Sequence, residues 1–217
     1  MNKTFLTLLV FFVLGGTSAN AQLPVGVGLK VGTPFNDAYN VASSVISGST
    51  IQNAYSSNAK DFLIGPMVEL RLPFSIAIEA DALYRSVGFR RMPTLTGVIS
   101  PVPPTGPLST ATTVNIDANA WEFPILLKYK MKGIPLVKPY VGAGLSFKHI
   151  TGDDVLELTH RTSTGVVLEG GLEFKLLLLR ISPEIRYTGY TVRSFEAPQG
   201  LLQTNKNQLA FLVGFSF

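Results

Sequence analysis

From Val25 onward the chain alternates. Val25, Val27, Leu29 and Val31 share one side of a two-residue period, and Gly26, Gly28, Lys30 and Gly32 share the other. Successive side chains of a strand point to opposite faces, so this pattern predicts a strand with one apolar face. Seven further segments repeat it. Their apolar rows begin at Phe62, Ile76, Trp121, Pro139, Val166, Leu179 and Leu209. The second row runs Phe62, Ile64, Pro66, Val68, Leu70 and Leu72, and the fourth runs Trp121, Phe123, Ile125, Leu127 and Tyr129. The last runs Leu209, Phe211, Val213, Phe215 and Phe217 against Gln208, Ala210, Leu212, Gly214 and Ser216.

The connections alternate long and short. Residues 33–59 are rich in Ser, Asn and Gly, and 91–114 carry Pro101, Pro103, Pro104 and Pro107, so both read as loops. Residues 149–162 and 190–205 are the other long connections, whereas 73–75, 132–136 and 175–177 are short. Each alternating segment approaches the roughly 9–11 residues that a tilted strand needs to cross a bilayer. Long loops at one end, short turns at the other and an even strand number are the pattern of an outer-membrane barrel. The expected fold is therefore all-β: an eight-stranded antiparallel up-and-down transmembrane barrel, with short periplasmic turns and long extracellular loops.

A soluble eight-stranded barrel would alternate too, with its apolar face inward. Two features favour lipid. The apolar rows carry no charge and place Phe62, Tyr84, Trp121, Tyr129, Phe147, Phe174, Tyr187 and Phe217 near strand ends, as in interfacial aromatic girdles. The other face mixes glycines (Gly26, Gly28, Gly65, Gly142, Gly144, Gly171, Gly214) with charges of both signs. Glycine weakens a strand, so a solvated face gains nothing from it; a crowded lumen gains room.

Composition narrows the function. The chain of 217 residues is 46% hydrophobic and 15% charged, with no cysteine, which rules out disulfides and thiolate chemistry. The net charge of +4 is scattered, so no nucleic-acid footprint is expected. Lys3, the apolar run Phe5–Leu14 and Ala19-Asn20-Ala21 predict a signal peptide over residues 1–21, cleaved after export, with the barrel domain over 22–217.

The lumen face carries a nearly balanced set of charges. The acids are Glu69, Glu79, Asp81, Glu122, Glu169, Glu173 and Glu184; the bases are Lys30, Arg71, Arg85, Lys128, Lys130, Lys148, Arg180 and Arg186. Confined charges must pair, and an eight-stranded barrel is just wide enough for side chains to fill it. The expectation is a plugged interior, with a narrow porin-like channel for small solutes or ions as the alternative.

The strand Ile78-Glu79-Ala80-Asp81-Ala82-Leu83-Tyr84-Arg85, the strand from Trp121 to Tyr129, Lys138-Pro139-Tyr140-Val141-Gly142-Ala143-Gly144 and terminal Phe217 resemble the small outer-membrane barrels of Gram-negative bacteria, the OmpA/OmpX-like "outer membrane protein beta-barrel domain" or porin-like family. The resemblance spans the mature chain. It implies Sec export, residence in the outer membrane among lipid and lipopolysaccharide, and delivery by periplasmic chaperones. It also implies recognition of the terminal aromatics, Phe215 and Phe217, by the barrel-assembly machinery. A monomer is expected, with long outer loops as recognition surfaces for an extracellular ligand. No peptidoglycan-binding domain is expected after the barrel segment.

Some such barrels modify lipids with a His/Asp/Ser set at the outer rim. His149 and His160, near Asp153, Asp154 and Ser163, are the candidates for that second alternative. Their spacing matches no catalytic motif, and two adjacent carboxylates are too few for calcium. No catalytic residue, metal site or cofactor is expected.

Overall fold

The computed structural model describes residues 25–41, 51–95, 113–131, 136–152, 157–176, 178–197 and 201–217. The predicted export segment lies outside the described residues. In chain order the strands are β1 (Val25–Pro34), β2 (Tyr39–Val41), β3 (Ile51–Ser57), β4 (Leu63–Arg71), β5 (Ile76–Asp81), β6 (Leu83–Ser86), β7 (Phe89–Leu95), β8 (Val114–Ile116), β9 (Ala118–Lys130), β10 (Val137–Gly152), β11 (Thr162–Leu176), β12 (Leu179–Tyr190), β13 (Leu202–Thr204) and β14 (Asn207–Ser216).

The barrel wall has eight strands, β5 and β6 being two halves of one. The ring runs β1, β4, β5/β6, β9, β10, β11, β12, β14, and every neighbouring pair is antiparallel. It closes because β1 pairs on both sides: Gly28 lies opposite Ser216 of β14 and opposite Met67 of β4. Closure removes both sheet edges, so no row of unpaired backbone groups faces outward.

The apolar rows face out. In β9, Trp121, Phe123, Ile125, Leu127 and Tyr129 are exposed, while Glu122, Leu126 and Lys128 between them are buried. Ile125 is 51% exposed, and its neighbour Leu126 only 1%. The same inversion runs round the ring, from Val25, Val27 and Leu29 to Leu209, Phe211 and Phe215 outside, with Lys30, Glu79 and Glu184 inside. A continuous apolar band of this kind is stable against hydrocarbon and not against water.

The third wall strand is not the unbroken segment that its alternation predicts. It stops at Asp81 and restarts at Leu83. The cause lies on the neighbouring strands. The Ala82 amide donates to the Pro66 carbonyl at 3.0 Å, but Pro66 has no N–H with which to return the bond. On the other side the register brings Pro124 beside Asp81. Next to this defect, a Cβ on Gly65 would stand 1.8 Å from the Ala82 carbonyl oxygen, which is backbone and cannot swing aside. Gly65→Val is therefore expected to destabilise the barrel by about 1–3 kcal/mol, the usual cost of overpacking. A urea titration in lipid vesicles checks this, and an unchanged midpoint would show that the wall yields there.

At the short-turn end, β4 and β5 join through Phe74 and Ser75, both left-handed at φ 63° and 65°. Two consecutive left-handed residues give the turn twist that suits a tight hairpin, here without glycine. At the other end the stretches read as loops contain strands. β3, β7 and β8 form a separate sheet, and β2 pairs with β13. Between them and the barrel mouth sits an apolar cluster built on Tyr39, Tyr55, Phe89 and Phe195, joined by Ile116, Ala120, Ile150 and Leu202. The Phe89 ring meets Tyr39 at 5.6 Å and Phe195 at 5.5 Å, both edge to face.

Candidate functional site

The lumen holds its polar side chains in three layers between the turn end and the loop end. Each layer follows from strand parity: positions 128 and 130 of β9, 140 of β10, 169 and 173 of β11 and 184 and 186 of β12 all point to the axis.

The central layer gathers three cations and four carboxylates. Lys30 is fully buried; its Nζ lies 2.6 Å from Glu79, 3.2 Å from Asp81 and 3.0 Å from Glu184. Arg186 reaches Glu79 at 3.3 Å, Asp81 at 2.8 Å, Glu169 at 2.9 Å and Glu184 at 2.8 Å. Lys128 stands 2.6 Å from Glu79, 3.0 Å from Glu169 and 3.5 Å from Glu184. Its contact with Glu169 Oε1 is an ion pair without hydrogen-bond alignment, and Asp81 Oδ1 is left with no donor. Tyr140 donates to Glu184 at 2.7 Å and presents its ring 4.4 Å from the Lys128 ammonium.

Glu79, Glu169 and Glu184 each offer an oxygen within 4.8 Å of the others, which is a spacing that could hold a metal ion. Here the Lys128 ammonium contacts all three and occupies the place a cation would take. Glycines open the space: a Cβ on Gly142 would meet the Glu169 side chain at 2.8 Å, and one on Gly171 would meet the Tyr140 ring at 2.7 Å.

Toward the loops, Gln208 donates to Glu122 at 3.2 Å, and Lys148 lies 3.8 Å above the Tyr190 ring. Arg85 donates to the Lys60 carbonyl at 3.3 Å. A cavity of about 20 Å³ separates this layer from the aromatic cluster, room for a single water. Toward the turns, Lys130 bridges Glu69 at 2.8 Å and Glu173 at 2.6 Å, and Arg71 contacts Glu69 at 3.0 Å. Arg180 lies in this mouth with no carboxylate partner among the described residues.

Of the charges assigned to the lumen by alternation, Lys30, Glu79, Asp81, Lys128, Glu169, Glu184 and Arg186 form the central interlocked group, and the others lie in the two end layers. Sequence reasoning missed Tyr140 as a partner of that group, and Tyr190, Lys138 and Lys175 as lumen-facing residues of the end layers, although parity puts each on the same face.

The histidines do not form a site with Ser163. His149 is exposed and lies 3.3 Å from the Thr162 hydroxyl, whereas Ser163 is buried in the lumen opposite Lys148. His160 is exposed, with Nδ1 3.2 Å from the Arg193 carbonyl. Asp153 and Asp154 lie outside the described residues.

Residues 5–217 match the family model of the outer membrane protein beta-barrel domain. No curated protein matches the chain. Among solved structures, the outer membrane protein OprG from Pseudomonas aeruginosa is similar at 13% identity and a TM-score of 0.52, over 88% of this chain and 92% of that one. The N-terminal β-barrel domain of Pseudomonas aeruginosa OprF is 13% identical over 88% and 97%, with a TM-score of 0.41. Neisserial surface protein A is 12% identical over 89% and 95%, with a TM-score of 0.38.

Proposed function

Since the chain belongs to the outer membrane protein beta-barrel domain family and resides in the bacterial outer membrane, we propose that it serves there as a monomeric structural and surface-interaction protein, closed along its axis, rather than as a diffusion channel or an enzyme. The observation that supports this is the central layer, where Lys30, Lys128 and Arg186 interlock with four carboxylates and all seven are at most 6% exposed. A solute crossing that layer would have to break several buried ion pairs at once, each costly to leave half-made. The aromatic cluster at the loop end adds a second closure of different chemistry.

In this reading residues 1–21 direct export and are removed, and 22–217 form the barrel. The short turns face the periplasm and the long connections face outward, where they meet lipopolysaccharide and an extracellular ligand. Phe215 and Phe217 present the final strand to the assembly machinery after chaperone delivery. Planar-bilayer recording tests the closure. The expected record shows no resolvable steps in concentrated KCl; sustained open levels would replace this reading with the narrow channel.

A further inference from the structure

The turn-end mouth differs from the central layer in its charge. A hollow of about 240 Å³ opens there, lined by Arg71, Lys130, Lys138, Lys175 and Arg180, with Glu173 the one carboxylate among its lining residues. Glu173 is already engaged by Lys130, and Arg71 is engaged by Glu69. Lys138, Lys175 and Arg180 have no ion-pair partner among the described residues. Two of these three are set directly against each other: Lys175 of β11 lies opposite Arg180 of β12 in the ladder, both on the lumen face. Like charges directly across a strand pair are destabilising. In the central layer every cation is matched by acids, so the mouth departs from the rule that the same barrel follows a few residues away.

We propose that this mouth is an anion-binding bowl for a phosphate-type oxyanion. Such an ion has enough oxygens to take hydrogen bonds from cations on several strands at once, and the Arg180 guanidinium supplies the two-pronged donor that suits it. The bound anion relieves the repulsion between Lys175 and Arg180 and stands where an acid is missing. The outer-membrane orientation decides only which compartment supplies the anion. Free phosphate and a phospholipid headgroup share this chemistry.

The test is calorimetric titration of the protein, extracted in dodecyl maltoside at low ionic strength, with inorganic pyrophosphate. Saturable one-to-one binding is expected, weakened by salt. Lys175→Gln combined with Arg180→Gln is expected to lower the affinity at least tenfold, whereas Lys60→Gln with Lys206→Gln at the loop end leaves it unchanged. Lys175→Glu provides a second variant: it gives Arg180 an internal partner, so it is expected to abolish binding and to raise the unfolding midpoint without ligand. Absence of saturation in the wild type, or binding by Lys175→Glu equal to wild type, would overturn the bowl. Repeating the titration in phosphatidylcholine nanodiscs with and without phosphatidylglycerol assigns the source. Unchanged affinity points to a free solute, and competition by phosphatidylglycerol points to a headgroup. A conducting barrel that still binds pyrophosphate would refute the closed lumen and leave the bowl standing.

Discussion

Lys30→Met is expected to lower the free energy of unfolding by about 3–5 kcal/mol, the cost of breaking a buried ion pair from one side. Lys30 is 0% exposed and touches Glu79, Asp81 and Glu184. Methionine keeps the length of the side chain and removes the ammonium. Two cations, Lys128 and Arg186, then face four carboxylates that water cannot reach. The network itself is weak evidence of net stability, because burying seven charges costs most of what their attraction returns. The size of the loss comes from the charge left uncompensated. Urea titration in lipid vesicles, followed through the emission of the single tryptophan, Trp121, measures it. Lys138→Met, on an exposed cation that makes no ion pair among the described residues, is the comparison and is expected to change stability by less than about 0.5 kcal/mol. Equal effects from the two substitutions would mean that the central layer is hydrated.

Ile125→Arg is expected to cost about 2–4 kcal/mol in a bilayer, the penalty for a cation on the lipid face near the midplane. Ile125 is 51% exposed and sits midway along the outer row of β9, two places from Phe123 and Leu127. On the surface of a water-soluble barrel the same change would stay within about 0.5 kcal/mol. The two environments therefore predict different outcomes for one substitution. Vesicle unfolding of this variant against wild type distinguishes them, and a change near zero would remove the lipid from the outer face.

The wall of the barrel was legible because its solvent is inverted. A charge-free apolar row against a row of glycines and charges fixes both the strand and the side that faces lipid, and it did so for all eight wall segments. The partners of each charge were not legible. Alternation puts Lys30 and Glu184 on one face, but their 3.0 Å contact depends on the register of strands 154 positions apart. The break at Ala82 has the same origin, since Pro66 is visible in the sequence and its position opposite Ala82 is not. The aromatic cluster at the loop end was hidden for a different reason. Tyr39 and Tyr55 sit in a stretch rich in Ser and Asn, and Phe195 follows Arg193 and Ser194. Their burial comes from one another across the mouth, not from any period within a segment. An isolated aromatic in a polar loop was the one available signal. Lys138 and Lys175 carried a signal that was available and unused, because both lie on the lumen side of their strands.

The native chain has no cysteine, so single cysteines can be placed along β9 without background. Spin labels at successive positions from 121 to 129 in lipid vesicles, probed with oxygen as the apolar quencher, read the orientation directly. Oxygen accessibility is expected to rise at 121, 123, 125, 127 and 129 and to fall at the positions between them. A pattern of the opposite phase, or uniform access for a polar relaxation agent at the odd positions, would contradict an oily exterior around an ionic axis.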